Sequence, residues 1–226
     1  MSALDIIANS YGTDKASHLH NYCEKYEKYL PFKRYDELKI MEIGVLRAES
    51  LRTWKDYFYQ SQIIGIDILP ECEKYEKDRI SIEIGSQVDG SFLNEVSEKH
   101  GPFDMILDDG SHMSSHQIYS FEHLFDSVKS GGVYIVEDVF TSYWPWWSSY
   151  GIDNKEHLKN GPAIEYFKKL IDDVNFRGIE YLENQDMRWH RKESNLIPYS
   201  LKMQPDCRID IESINFLNGI IIITKR

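Results

Sequence analysis

Five short apolar runs, separated by stretches of helical periodicity, are what most restrict the folds open to this chain. They are LKIMEIGV, QIIGIDI (62 to 68), ISIEIG (80 to 85), FDMILDD (103 to 109) and GGVYIVED (131 to 138). Between the first two, SLRTWKDYF places Leu51, Trp54, Tyr57 and Phe58 on one helical face, and HQIYSFEHLFDSVKS reads as a helix leading into the Gly-Gly turn before the fifth run. Strands that are apolar throughout, rather than alternating, are buried on both faces, which requires a mainly parallel sheet covered by helices. The expected fold is therefore α/β and doubly wound. A length of 226 residues suffices for one such domain with a full core and is short for two. A single domain over 1–226 is expected, with an N-terminal helical cap over 1–38 and an insertion over 139–205.

The two ends and the insertion read differently. Near the start, Gly12 to Asp14 give a turn signal, and Tyr22, Tyr26, Tyr29 and Leu30 recur at helical spacing, a stripe best explained by packing. After Asp138 the rhythm breaks into TSYWPWWSSYG, followed by the helical pattern AIEYFKKLIDDVNF. The aromatic cluster Tyr143-Trp144-Pro145-Trp146-Trp147 suits stacking against sugar rings, with a lid or an oligomer contact as the competing reading. The stretch from about 150 to 205 is the expected specificity region. The last residues, IDIESINFLNGIIIITKR, bracket Asn218-Gly219 with two β-rich runs and predict an antiparallel hairpin at the sheet edge.

Charge and cysteine usage exclude several partners. A formal charge of -11 with a pI near 5.2 opposes attraction to nucleic-acid phosphates, so no nucleic-acid partner is expected. Cys23, Cys72 and Cys207 are far apart and form no CxxC pattern, which leaves a disulfide scaffold or structural zinc unsupported. The opening MSALDIIANSYGTDK lacks the basic and apolar regions of a signal peptide, and no apolar run is long enough for a membrane span. The expectation is a cytoplasmic protein.

In open α/β sheets, ligands bind at the carboxyl ends of the strands. Here those ends are acidic: Glu42 with Gly44 after the first run, Asp67 after the second, Asp108 and Asp109 after the fourth, Glu137 and Asp138 after the fifth. The segment Glu42-Ile-Gly44-Val-Leu-Arg-Ala48 has no GxGxxG pattern to cradle a pyrophosphate, so a cofactor without phosphates suits it better. Gly44 allows close backbone approach, and Asp67 could accept both hydroxyls of a ribose; a plain turn and a helix cap are the simpler readings of each.

Asp108-Asp109-Gly110-Ser111-His112 and Glu137-Asp138 should lie side by side, and four carboxylates there repel unless something positive sits between them. Asp109, Glu137 and Asp138 offer hard oxygen ligands suited to Mg²⁺, Ca²⁺ or Mn²⁺. Such a metal would lower the pKa of a bound hydroxyl, and His112 would lie within reach as general base. His116, one helical turn beyond, reads as a packing or capping residue, and His18, His20 and His190 as ordinary histidines.

In order, YGTDK, MEIGVLRAESLRTW, IIGIDI, FDMILDDGSHMSSHQ and GGVYIVEDVFTSYWP resemble the metal-dependent sugar O-methyltransferases, over roughly residues 10 to 147. The resemblance implies the Rossmann-like class I methyltransferase fold and S-adenosylmethionine (SAM) with Mg²⁺ or another hard divalent cation. It implies metal ligation by Asp109, Glu137 and Asp138, and proton abstraction by His112. It further implies cofactor contacts by Tyr11, Thr13, Lys15, Glu42, Gly44, Asp67 and Asp108, with Tyr11 to Lys15 folding over the cofactor or substrate. A sugar or glycoside acceptor is the expected partner, and self-association into a homo-oligomer is left open. Two other readings stay open at this point: a cephalosporin-hydroxylase-like enzyme, which shares the DDGSH and ED segments, and a non-catalytic regulatory domain that kept the fold.

Overall fold

A computed structural model describes residues 2–144, 161–175 and 210–226. Trp146, Trp147, His190, Cys207 and most of the expected specificity region lie outside the described residues. In chain order the elements are α1 (Ala3–Tyr11), α2 (Cys23–Tyr29), β1 (Lys39–Ile43), α3 (Glu49–Tyr57), β2 (Gln62–Asp67) and β3 (Ile80–Ile84). They continue with α4 (Gly90–His100), β4 (Phe103–Asp108), α5 (Ser114–Leu124), β5 (Val128–Val136), α6 (Ala163–Asn175), β6 (Ile211–Phe216) and β7 (Ile221–Lys225).

The strands form one sheet in the order β3-β2-β1-β4-β5-β7-β6. The first five run parallel, whereas β7 lies antiparallel between β5 and β6. The expected doubly wound sheet and its terminal hairpin are both present. Because the chain winds outward from β1 in one direction and then resumes at β4 on the other side, the strand order reverses between β1 and β4. That reversal leaves a crevice beyond their carboxyl ends.

Alternation along each strand feeds two cores, one on each face. On one side Ile40, Ile63, Met105, Val133 and Ile222 pack with Leu4, Tyr26 and Trp54 from α1, α2 and α3. On the other, Met41, Ile64, Ile106, Tyr134 and Ile221 pack with Leu93, Phe121 and Phe167 from α4, α5 and α6. Burial of a side chain such as Phe121 contributes about 3 kcal/mol, so neither face could be left bare. Among the described residues no helix is long and apolar enough to cross a membrane.

One boundary differs from the sequence expectation. The fifth strand begins at Val128, not at the Gly-Gly pair, because Phe103 pairs with Val128 and the register then shifts so that Met105 meets Val133. Gly132 permits this irregularity, since a Cβ there would lie 2.7 Å from the Asp104 carbonyl oxygen.

The cap is tied down locally before it reaches the crevice. Ser2 caps α1 by accepting from the Asp5 amide, and Gly12 ends the helix in the left-handed conformation at φ 78°. The buried Asp5 carboxylate then accepts from the Ser17 amide at 2.7 Å and from the Asn9 amide group. The Lys15 carbonyl accepts from the amides of Tyr22 and Cys23, at 2.8 and 3.2 Å. These bonds fix where residues 13 to 22 pass.

Candidate active site

Ladder bonds carry one residue past each strand: Gly44 donates to the Ile66 carbonyl, Asp109 to Ile43 and Glu137 to Asp108, at 2.9, 3.0 and 3.0 Å. The residues following β1, β4 and β5 therefore stand at one level on the sheet's carboxyl edge. A cleft of about 540 Å³ opens above them, lined by Thr13 and Lys15 from the cap and by Glu42, Gly44, Asp67, Gln87, Asp109, His112 and His116.

The β1–β2 half is built from its own strand ends. Gly44 sits at φ 96°, and a Cβ there would lie 2.3 Å from the Asp109 carbonyl oxygen, so glycine answers both the backbone conformation and the close approach of β4. Asp67 accepts from the amides of Val45 (2.8 Å), Leu46 (3.1 Å) and Leu69 (2.9 Å), which locks its carboxylate against the turn after β1. Leu46, Ile68 and Leu69 are exposed beside it and give this end an apolar rim. Glu42 is fully buried and accepts from Ser50 Oγ and Trp54 Nε1, both at 2.8 Å. Burial pushes its carboxyl up to about 7, against the opposing pull of Lys15.

The β4–β5 half is held by the cap. Lys15 Nζ donates to Asp109 and to Glu137 (2.9 Å) and lies 3.5 Å from Glu42 Oε1. The positive charge that converging carboxylates require is thus supplied by the chain itself. Burial works to lower the Lys15 pKa, but the charges of Asp109, Glu137 and Glu42 outweigh it and hold the group well above its ordinary value, which denies it a role as a base. Burial, with Asp109 beside it, pushes the Glu137 carboxyl well up against the pull of Lys15. Tyr26 donates its hydroxyl to Glu137, and Tyr22 donates to Asp138 Oδ1 at 2.6 Å. Burial and these acids raise both phenols, so each acts as a donor only.

His112 and Asp138 face one another with Nε2 and Oδ2 3.7 Å apart. Both adopt left-handed backbone, at φ 56° and 52°, a conformation costly for residues with a side chain and concentrated at functional sites. The Thr141 hydroxyl is 2.9 Å from both of their carbonyl oxygens and ties the two turns together. Asp109, His112 and Asp138 each present a ligand atom within 4.8 Å of the others, a spacing that one cation could span.

Among the expected site residues, Thr13, Lys15, Glu42, Gly44, Asp67, Asp109 and His112 line the cleft. Asp138 adjoins His112, while Glu137 lies behind, 2% exposed and engaged by Lys15 and Tyr26. Tyr11 donates to Asp56 on α3 and is not part of the lining. Asp108 is fully buried beneath the floor, 3.3 Å from the Gln87 side-chain amide and from the Gly110 amide, and burial lifts its carboxyl to about 6. His116, in the cleft lining, contacts Ser111 Oγ through Nδ1 at 2.8 Å.

Sequence reasoning missed three residues. Helical spacing marks Tyr22 and Tyr26 as packing residues, and they are buried, but their hydroxyls also reach the strand-end acids. Gln87 accepts from the Ser111 amide at 2.8 Å and donates to Asp108. It follows the carboxyl end of β3, where the strand-end rule would have found it.

No protein-family model matches the chain. It is 36% identical over 182 residues to the L-olivosyl-oleandolide 3-O-methyltransferase of Streptomyces antibioticus, covering 76% of this chain and 46% of that protein. It is 34% identical over 183 residues to the mycinamicin VI 2''-O-methyltransferase of Micromonospora griseorubida, covering 78% and 45%. The chain thus spans less than half the length of these curated relatives. A solved structure of the MycE methyltransferase of mycinamycin biosynthesis, in complex with Mg, SAH and mycinamycin VI, superposes with a TM-score of 0.75 at 27% identity, covering 99% of this chain and 54% of that one. In sequence and in fold, the chain is a homologue of the sugar O-methyltransferases, built on the class I methyltransferase fold.

Proposed function

We propose that the chain is a SAM-dependent, Mg²⁺-dependent O-methyltransferase acting on a sugar hydroxyl. The observation that carries this reading is the meeting of Asp109, His112 and Asp138 at one end of a cleft whose other end presents Gly44, Asp67 and an apolar rim. Asp67 suits a ribose diol, Leu46, Ile68 and Leu69 suit a flat base, and Thr13, Glu42 and Gly44 complete the cofactor end. The oxygens of Asp109, Glu137 and Asp138 suit a hard divalent cation.

When bound, the cation would acidify an acceptor hydroxyl and SAM would supply the methyl group. The chain's own residues do the rest. His112, which lines the cleft from a left-handed turn beside Asp138, takes the hydroxyl proton at Nε2. Positioning of donor and acceptor in line supplies much of the rate.

The proposal includes one catalytic domain over 1–226, capped by 1–38, with the insertion at 139–205 helping to choose the acceptor, and a cytoplasmic setting. Neither a cephalosporin-hydroxylase-like activity nor a regulatory role is favoured, because the curated relatives reported above are O-methyltransferases. The test is calorimetric titration of SAM into wild type and Asp67→Ala with and without Mg²⁺, followed by transfer of labelled methyl groups to a panel of sugar glycosides. Binding that Asp67→Ala weakens, together with Mg²⁺-dependent labelling, is expected. Absence of SAM binding in wild type would overturn the reading.

A further inference from the structure

The charge count of the β4–β5 half points to a role for Lys15 beyond contact with cofactor. Asp109, Glu137 and Glu42 surround Nζ, and its side chain is 3% exposed. The loop carrying it is anchored through Asp5 and through the Lys15 carbonyl, so the ammonium is delivered to these acids by a fixed backbone. Asp109, which Lys15 grips, also belongs to the trio spaced to hold a cation.

We propose that Lys15 is a resident counter-cation: it keeps the acidic strand ends folded without metal, and by sharing Asp109 and Glu137 it weakens divalent-cation binding so that the ion exchanges. The inference rests on the metal-dependent reading above. Its physical basis is that an ammonium this close to the acids repels an incoming divalent ion, while removing it leaves buried carboxylates uncompensated. A residue that merely aligned the carboxylates would have the opposite effect, since losing such support weakens metal binding.

The sign of the change therefore decides the matter. Lys15→Gln keeps amide donors for the acids and removes the charge, while Lys15→Met removes both. Binding of Mn²⁺ is followed by loss of the free-ion paramagnetic resonance signal, and melting is recorded with and without Mg²⁺. The expected result is that Lys15→Gln melts lower than wild type without metal, gains more from Mg²⁺, and binds Mn²⁺ roughly tenfold more tightly, the scale on which neighbours of metal ligands act. A variant that folds only when metal is present would be the extreme form of the same result. Equal or weaker Mn²⁺ binding in Lys15→Gln overturns the inference and leaves the metal reading intact. Failure of both variants to fold even in saturating metal also overturns it, because the ion is required to replace the ammonium. No Mn²⁺ binding by wild type overturns the inference and the metal reading together.

Discussion

The two halves of the cleft solve the same problem, acids at strand ends, by different means. At β1–β2, Asp67 is satisfied by three backbone amides at most 22 residues from it, and Glu42 Oε2 by Ser50 and Trp54 on the helix that follows β1, with Lys15 3.5 Å from its other oxygen. At β4–β5, Asp109, Glu137 and Asp138 depend on Lys15, Tyr22 and Tyr26, which lie 94 to 122 residues away in sequence. The first half is a local product of one βαβ unit. The second exists only when the cap docks, so cap and proposed metal centre form one thermodynamic unit, while the cofactor half meets the cap through Thr13 and the approach of Lys15 to Glu42.

The largest effect that separates the halves should come from the proposed metal ligands. Asp109→Ala and Asp138→Ala are expected to lower Mg²⁺-dependent methyl transfer by roughly 10²–10³-fold, as loss of a group that stabilises developing negative charge does. SAM affinity, measured by calorimetry, should stay near wild type. A parallel collapse of SAM binding would show that the halves are not separable.

Gly44→Ala attacks the seam between them. The added methyl meets the Asp109 carbonyl oxygen at 2.3 Å and forces a side chain into φ 96°. A loss of about 4 kcal/mol in denaturant unfolding is expected, at the upper end for single substitutions. Both SAM and metal binding should suffer, unlike in the Asp109 variant. A variant of unchanged stability would mean that β1 and β4 approach less closely than described.

The same contrast explains what the sequence could and could not disclose. Apolar runs at LKIMEIGV, 62–68, 80–85, 103–109 and 131–138 declare the five parallel strands, because burial on both faces imposes a composition that needs no partner to be recognised, whereas the polar start of the fifth strand at 128–130 is not legible this way. Strand ends then locate Glu42, Gly44, Asp67, Asp109 and His112 by topology alone. The role of Tyr22 and Tyr26 was hidden because one side chain does two jobs: the ring buries area in the core and the hydroxyl leaves it at the site edge. Helical spacing reports only the first. Asp108 illustrates the reverse case, since a strand-end acid beside Asp109 looks equally available, yet the period of two sends its side chain beneath the floor.

A third prediction tests the cofactor half through pH. The Glu42 carboxyl is raised from 4.5 to about 7 in the folded protein, so folding favours its protonated form. Its contribution to stability is fully present below pH 4.5 and is lost as pH rises through 7, a span worth at most about 3 kcal/mol. In Glu42→Gln, which keeps an oxygen for Ser50 and Trp54, the slope of unfolding free energy between these pH values should flatten. An unchanged slope would assign the pH dependence to other groups and remove Glu42 from the account.

The smallest effect is expected from Tyr22→Phe, and it is the most discriminating. The substitution keeps the ring, its burial and its packing on Tyr26, and removes only the hydroxyl, which donates to Asp138 Oδ1 at 2.6 Å and lies 3.4 Å from the Gly219 carbonyl oxygen. Hydrogen bonds to charged acceptors contribute about 1.5 kcal/mol or more, so a stability loss of that order should appear in urea melts. If the cap serves the β4–β5 half as the contacts indicate, Mn²⁺ affinity should fall about tenfold, the scale seen when support of a metal ligand is lost, with SAM affinity unchanged. A stability loss with metal affinity preserved would return Tyr22 to a packing role and confine the cap's influence to Lys15. Equal losses of metal and SAM affinity would instead dissolve the distinction between a local half and a cap-dependent one, because the hydroxyl touches only the latter.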